Sequence, residues 1–177
     1  MARILVTGAT GFIGAHLCSM LAAQGEEPVA AVRTPRAGAG GKQHVVGDLG
    51  AAPDLGPALA GIDAVVHLAG FAHGGQQCST DAERACYRAN VAATMNLARA
   101  AAAKGVRRLV FLSSIKVNGD YTEARPFREL DPPDPADDYA RSKWAAEQTL
   151  QCIAADTGLQ VVVIRPPLVY GPGVKAN

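Results

Sequence analysis

Runs of continuously apolar residues alternate along this chain with longer stretches whose apolar positions recur at helical spacing. The first run, Arg3–Thr7, leads into a helical stretch from Phe12 to about Gln24, with Gly25 where a helix C-cap is expected. A second run covers Pro28–Val32. A loop from Thr34 to Lys42, rich in glycine, separates it from a short third run, His44–Val46. Asp54–Leu59 predicts a short helix, Ala64–His67 a fourth strand and Asp81–Lys104 a long helix. Arg107–Leu112 and Gln160–Arg165 complete the strands. Between them lie a Pro/Asp-rich loop, Glu129 to Asp138, and a helix ending near Asp156.

Strands that are apolar throughout belong in a sheet covered on both faces. Strand–helix alternation requires crossovers, and these run right-handed. The expected fold is therefore α/β, a Rossmann-type doubly wound parallel sheet in the order 3-2-1-4-5-6, forming one domain over residues 1–177.

The turn between the first strand and the first helix reads Thr7-Gly8-Ala9-Thr10-Gly11-Phe12-Ile13-Gly14. Glycines at this spacing let the backbone turn tightly, approach a pyrophosphate and pack helix on strand. The helix start then offers free N–H groups and a positive dipole end to phosphates. This context points to a bound dinucleotide rather than to an ordinary tight turn.

The end of the second strand separates NAD from NADP. An acid there holds the ribose 2′-hydroxyl, whereas an arginine accommodates a 2′-phosphate. Val32-Arg33, with Arg36 and Lys42 nearby and no acid, favours NADP and leaves NAD open. Asp48, after the third strand, is placed either to hydrogen-bond an adenine amino group or to cap its own turn.

Net charge is +1, so neither nucleic acid nor an anionic membrane surface is an expected partner. No apolar run reaches membrane-spanning length and no signal peptide precedes Ile4, which makes the cytoplasm the expected location. The four cysteines, Cys18, Cys78, Cys86 and Cys152, lack metal-site spacing. They read as reduced thiols, with Cys18 and Cys152 packed on helices, and no metal is expected.

Tyr139 and Lys143 lie four apart on a predicted helix and share a face. A phenol with a pKa near 10 is a poor base at neutral pH, and a neighbouring ammonium lowers that value. Tyr139 could then act as general base on an alcohol or general acid on a ketone. Ser113 and Ser114 end the fifth strand at the carboxyl edge, where ligands of such sheets bind, and point to opposite faces. Asp137 or Asp138 is placed to cap the Tyr139 helix. His67 is read as ordering a strand end, His73 as bordering the substrate, and Trp144 as core. Tyr170 either lines the pocket or packs. Asn90 is a poor helix former placed mid-helix.

Thr7-Gly8-x-x-Gly11-x-x-Gly14, Asp48-Leu49, His67-Leu68-Ala69-Gly70, Asn90-Val91, Ser113-Ser114, Tyr139-x-x-x-Lys143 and Arg165-Pro166 occur in the order seen in the extended short-chain dehydrogenases. The chain resembles their NAD-dependent epimerase/dehydratase group, which acts on nucleotide sugars. Ser114–Gly119 and Val169–Asn177 look like a UDP-glucose 4-epimerase-like branch that includes 4-keto-reductases. The resemblance implies Ser114, Tyr139 and Lys143 as catalytic groups. It places Gly8, Thr10, Gly11, Phe12, Ile13, Gly14, Arg33, Asp48, Leu49, Leu68, Ala69, Gly70 and Pro166 against the dinucleotide, with Tyr139 and with Lys143 on the nicotinamide ribose. It sets Phe71, Asn90, Ser114, Tyr139 and Asn177 against a nucleotide-sugar substrate.

A 4,6-dehydratase of this group would carry an Asp-Glu pair directly after the catalytic hydroxyl. Ile115-Lys116 stands there instead, which leaves 4-epimerisation or 4-keto reduction. Asn118 replaces a tyrosine common at that place. The reading from a different class, a dinucleotide-binding redox sensor without turnover, fits less well because such relatives lose the Tyr/Lys pair.

The resemblance also implies a C-terminal region closing over the sugar. None of residues 1–177 supplies it, so these residues are expected to bind dinucleotide and to turn over sugar weakly alone. Exposed sheet edge would favour self-association, for example as a homodimer.

Overall fold

The computed structural model describes residues 1–35, 42–71, 80–122 and 125–174. The strands are β1 (Arg3–Thr7), β2 (Glu27–Val32), β3 (Lys42–Val45), β4 (Ala64–His67), β5 (Arg108–Leu112) and β6 (Gln160–Ile164). The helices are α1 (Phe12–Ala23), α2 (Gly56–Leu59), α3 (Thr80–Tyr87), α4 (Ala93–Ala103) and α5 (Asp138–Thr157). All adjacent strands pair in parallel, in the order β3-β2-β1-β4-β5-β6. This is the doubly wound sheet that the sequence predicts.

Strand alternation divides the core in two. Leu5, Val29, Ala31, Val65, Leu109 and Phe111 point to the face covered by α4 and α5. Val6, Ala30 and Val32 point the other way, against Leu17, Cys18 and Leu21 of α1. Both faces of β1 are thus dry, which is why its sequence is apolar without alternation.

Helix ends follow local chemistry. After α1, Gly25 (φ +81°) donates to the Ala22 carbonyl and Glu26 donates to that of Leu21. Gly105 and Val106 repeat the pattern after α4, with bonds to Ala102 and Ala101. Each glycine takes the left-handed conformation that closes a helix at no Cβ cost. The second helix starts two residues later than predicted, because Asp54 instead caps it from outside, its Oδ1 accepting from the Gly56 amide at 2.8 Å.

The predicted helix 81–104 differs more. α3 and α4 are joined by a wide π-helical turn, Arg88–Ala92. Such turns insert an extra residue into a helix and occur often at functional sites. Asn90 sits in this one.

No helix among the described residues is long and apolar enough to cross a membrane, and no cluster of metal-ligating side chains occurs among them.

Candidate active site

The strand order reverses between β1 and β4, and their exits meet at the carboxyl edge of the sheet. Gly8, with φ +68°, approaches the β4 exit so closely that a Cβ would lie 2.8 Å from the Ala69 nitrogen. At Gly14 a Cβ would fall 2.2 Å from the Gly8 carbonyl oxygen, so only glycine lets α1 start this near β1. Gly11 caps α1 without a side-chain hydrogen bond, and its first turn carries no acid. The helix start therefore presents amide donors and a positive end to the crevice. Phe12 and Ile13 are half-buried beside it and Thr10 is exposed.

Polar side chains buried below the crevice hold its walls. Thr7 Oγ1 accepts from the Ala69 amide at 3.1 Å and meets His67 Nδ1 at 2.6 Å. Asn90, 1% exposed, grips the β4 exit from the other side. Its Oδ1 accepts from the Phe71 amide at 2.8 Å, and its Nδ2 donates to the Phe71 carbonyl at 3.0 Å and to Ser142 Oγ at 2.9 Å. Asn90 thereby fastens the segment Leu68–Phe71 to α5. Its amide is spent on protein partners, so it shapes the crevice from behind.

α5 carries Tyr139, Lys143 and Glu147 one turn apart. Asp137 caps the helix, Oδ1 accepting from the Ala140 amide at 2.6 Å, which decides between the two acids the sequence offers. Ser114 stands just past β5, where its hydroxyl acts to lower the Tyr139 phenol's pKa. Ser113 points the other way, is buried, and donates to Glu147 Oε1. The alternation of the strand has given these two serines different work.

Lys143 is 4% exposed. Its Nζ donates to the Leu112 carbonyl at 2.9 Å and lies 4.7 Å from the Phe111 ring centroid and 5.9 Å from that of Tyr139. Burial pushes this ammonium down to about 8 from 10.5, partly countered by Cys86 and Glu147. The net lowering expected of the phenol's pKa is not met. Tyr139 lies above its ordinary value, chiefly through burial and then through Cys86 and Asp137. Ser114 and Lys116 pull it down. The physical reason is burial of the phenol, while the Lys143 ammonium faces a carbonyl and the flat side of two rings.

Glu147, Arg165 and Asn118 form a network for which the sequence offered only the Arg165-Pro166 pair. Arg165 Nη2 meets Glu147 Oε2 at 2.6 Å and Nε meets Oε1 at 3.0 Å, while Nη1 donates to Asn118 Oδ1 at 3.1 Å. Together they tie β6 to α5 and to the turn after β5.

Other expected residues are spread around the crevice. Arg33 is exposed just past β2. Asp48 caps its own turn, Oδ1 accepting from the Gly50 amide at 2.9 Å, and its Oδ2 pairs with Arg88 at 2.7 Å. Leu49 is buried and Leu68 half-buried. Gly70 faces Asn90 and Lys143, where a Cβ would come within 3.0 and 3.1 Å of their polar ends. The Pro166 carbonyl accepts from Ile115 at 3.0 Å, setting the β6 exit beside Ser114. Tyr170 is 80% exposed. Trp144 is half-buried under the Arg165 guanidinium rather than in the core. Cys152 is exposed on α5, contrary to the expected packing, because it lies on that helix's outer face. Arg36, His73 and Asn177 fall outside the described residues.

Comparison with known proteins agrees with this geometry. Residues 4–177 match the model of the NAD dependent epimerase/dehydratase family. The chain belongs to this family. Among curated epimerase/dehydratase relatives, a UDP-glucose 4-epimerase of Vibrio cholerae is 42% identical over 98% of this chain and 54% of its own length. A GDP-6-deoxy-D-mannose reductase of Pseudomonas aeruginosa is 34% identical over 98% of this chain and 54% of its own length. A solved structure, MoeE5 in complex with UDP-glucuronic acid and NAD, superposes with a TM-score of 0.86 at 37% identity, over 98% of this chain and 57% of that one. The chain thus spans about half the length of the relatives it matches.

Proposed function

We propose that this chain holds a nicotinamide dinucleotide across the carboxyl edge of its sheet and supports hydride transfer at C4 of a nucleotide sugar. The reaction is 4-epimerisation or 4-keto reduction. The observation that carries the reading is the placing of Lys143 Nζ 5.9 Å from the Tyr139 ring centroid, with the Ser114 hydroxyl acting on the same phenol. The family membership supports it, as do the NAD and UDP-sugar held by MoeE5.

The residues fit a dinucleotide. The uncapped start of α1 and the close approaches at Gly8 and Gly14 leave a cradle that any Cβ would fill. Amides of the α1 turn would bind the pyrophosphate, Arg33 and Asp48 would flank the adenosine half, and Leu68–Gly70 with Pro166 would wall the nicotinamide half. When bound, the dinucleotide supplies the carbon that takes or returns hydride. Tyr139 moves the proton of the sugar hydroxyl, and Ser114 holds the reacting oxygen beside it. Lys143 supports the ribose and brings a positive charge close to the phenol. Phe71 borders the sugar on a segment that Asn90 fixes.

Hydride exchange between a C4-deuterated UDP-sugar and bound dinucleotide, followed in the native protein, tests the proposal. Tyr139→Phe is expected to keep dinucleotide affinity and to lose exchange by about 10²–10⁴-fold. Exchange at the wild-type rate in Tyr139→Phe, or no dinucleotide binding by the unaltered protein, would sink it.

A further inference from the structure

Lys116 stands where a dehydratase of this family would place an acid, and the function proposed above leaves it without a role. It lies within the turn Ile115–Val117, which Ser114 caps. Its Nζ meets Asp137 Oδ2 at 2.7 Å and lies 4.0 Å from Asp120 Oδ1. Asp137 is the cap of α5, its other oxygen already bound to the Ala140 amide. One carboxylate thus joins the turn that carries Ser114 to the helix start that carries Tyr139. A backbone bond from the Asp134 amide to the Val117 carbonyl, 2.9 Å, closes the same gap.

We propose that Lys116 is a positioning residue of the reaction, which through its clamp on Asp137 sets both the spacing of Ser114 and Tyr139 and the charge felt at the phenol. The proposal rests on the hydride-transfer reading for its purpose but not for its measurement.

The groups facing the phenol come from three elements. Ser114 and Lys116 reach it from the β5 turn, Cys86 from α3, and Asp137 and Lys143 from α5. Beneath the larger effect of burial, Asp137 acts to raise its pKa and Lys116 to lower it. The two charges oppose each other at the phenol. Removing one leaves the other to act alone, so the two removals must drive the phenol in opposite directions. A clamp that served only to hold the fold together would not separate them by sign.

The test is the ultraviolet tyrosinate titration of Tyr139, isolated as the difference between each protein and its Tyr139→Phe counterpart. The midpoint is expected to move to higher pH in Lys116→Met, to lower pH in Asp137→Asn, and to stay near the wild-type value in Lys116→Arg. If Lys116→Met does not fold, Lys116→Gln replaces it, and Asp137→Asn carries the opposite sign by itself. Movement of both variants in one direction, or an unmoved midpoint in Lys116→Met or Lys116→Gln, would overturn the role. Titration needs no turnover, so loss of the hydride-transfer reading would show separately, as exchange persisting in Tyr139→Phe.

Discussion

His67 Nε2 donates to Thr94 Oγ1 across 3.0 Å, and this direction is forced. Thr94 Oγ1 lies 2.5 Å from the Asn90 carbonyl, which can only accept, so the Thr94 proton goes there. Its oxygen must accept from the ring, His67 Nδ1 must then accept from Thr7, and Thr7 receives the Ala69 amide. The histidine is a neutral tautomer at the centre of a one-way chain linking β1, β4 and the π-turn.

A pH dependence follows from this chain. Burial, with a smaller effect of Lys143, lowers His67 from 6.5 to about 3. Below pH 6.5 the unfolded chain takes up a proton that the folded protein refuses, so stability is full above that pH and drains away toward pH 3. The loss from this group at pH 5 is about 2 kcal/mol. Urea unfolding at neutral and mildly acid pH checks it. His67→Gln should be less stable at neutral pH and lose less on acidification.

Lys143 carries the opposite lesson about cost. Its folded value, about 8, lies below the ordinary 10.5, so its charge opposes folding at neutral pH, and the opposition lifts as pH rises from about 8 toward 10.5. Lys143→Met is expected to stabilise the fold by about 1–2 kcal/mol while removing hydride transfer. Thermal melts at neutral pH, beside the exchange assay, measure both.

The Glu147–Arg165 pair, with side chains 2% and 19% exposed, should be the most costly ion pair to break. Arg165→Met leaves a buried carboxylate with only Ser113 to satisfy it. A loss of about 3–5 kcal/mol is expected in denaturant unfolding. The surface pair Arg125–Asp131, with the arginine half exposed, serves as the control and should cost far less.

The proposed preference for NADP rests on Arg33, exposed just past β2. Arg33→Asp should weaken NADPH and strengthen NADH, shifting their affinity ratio by at least tenfold, about 1.4 kcal/mol. Fluorescence titration with both nucleotides reads the ratio directly.

Strands and their order were legible in the sequence because two-sided burial writes itself as apolar runs. So was the separation of Ser113 from Ser114, since strand side chains alternate. The edges of the reading failed where side chains compete with backbone. β3 begins at Lys42 and ends at Val45, not at His44 and Val46, because an edge strand is held by β2 alone. The π-turn had no signal beyond an asparagine mid-helix. The phenol's environment could not be read from Tyr139-x-x-x-Lys143 either. That spacing puts two residues on one face but does not say where an ammonium points, and here it points at Leu112. Lys116 and Asp137, 21 positions apart, meet only through the fold.

The π-turn makes this helix count its residues. Most surface helices tolerate the loss of one residue by sliding a loop. Deleting one between Arg88 and Ala92 would yield a more regular helix and a worse protein. Everything on the α3 side would turn by about 100° relative to α4, taking Cys86 away from Ser142. Here the irregular backbone is the ordered state, and a helix idealised by design or by drift would be the damaged one.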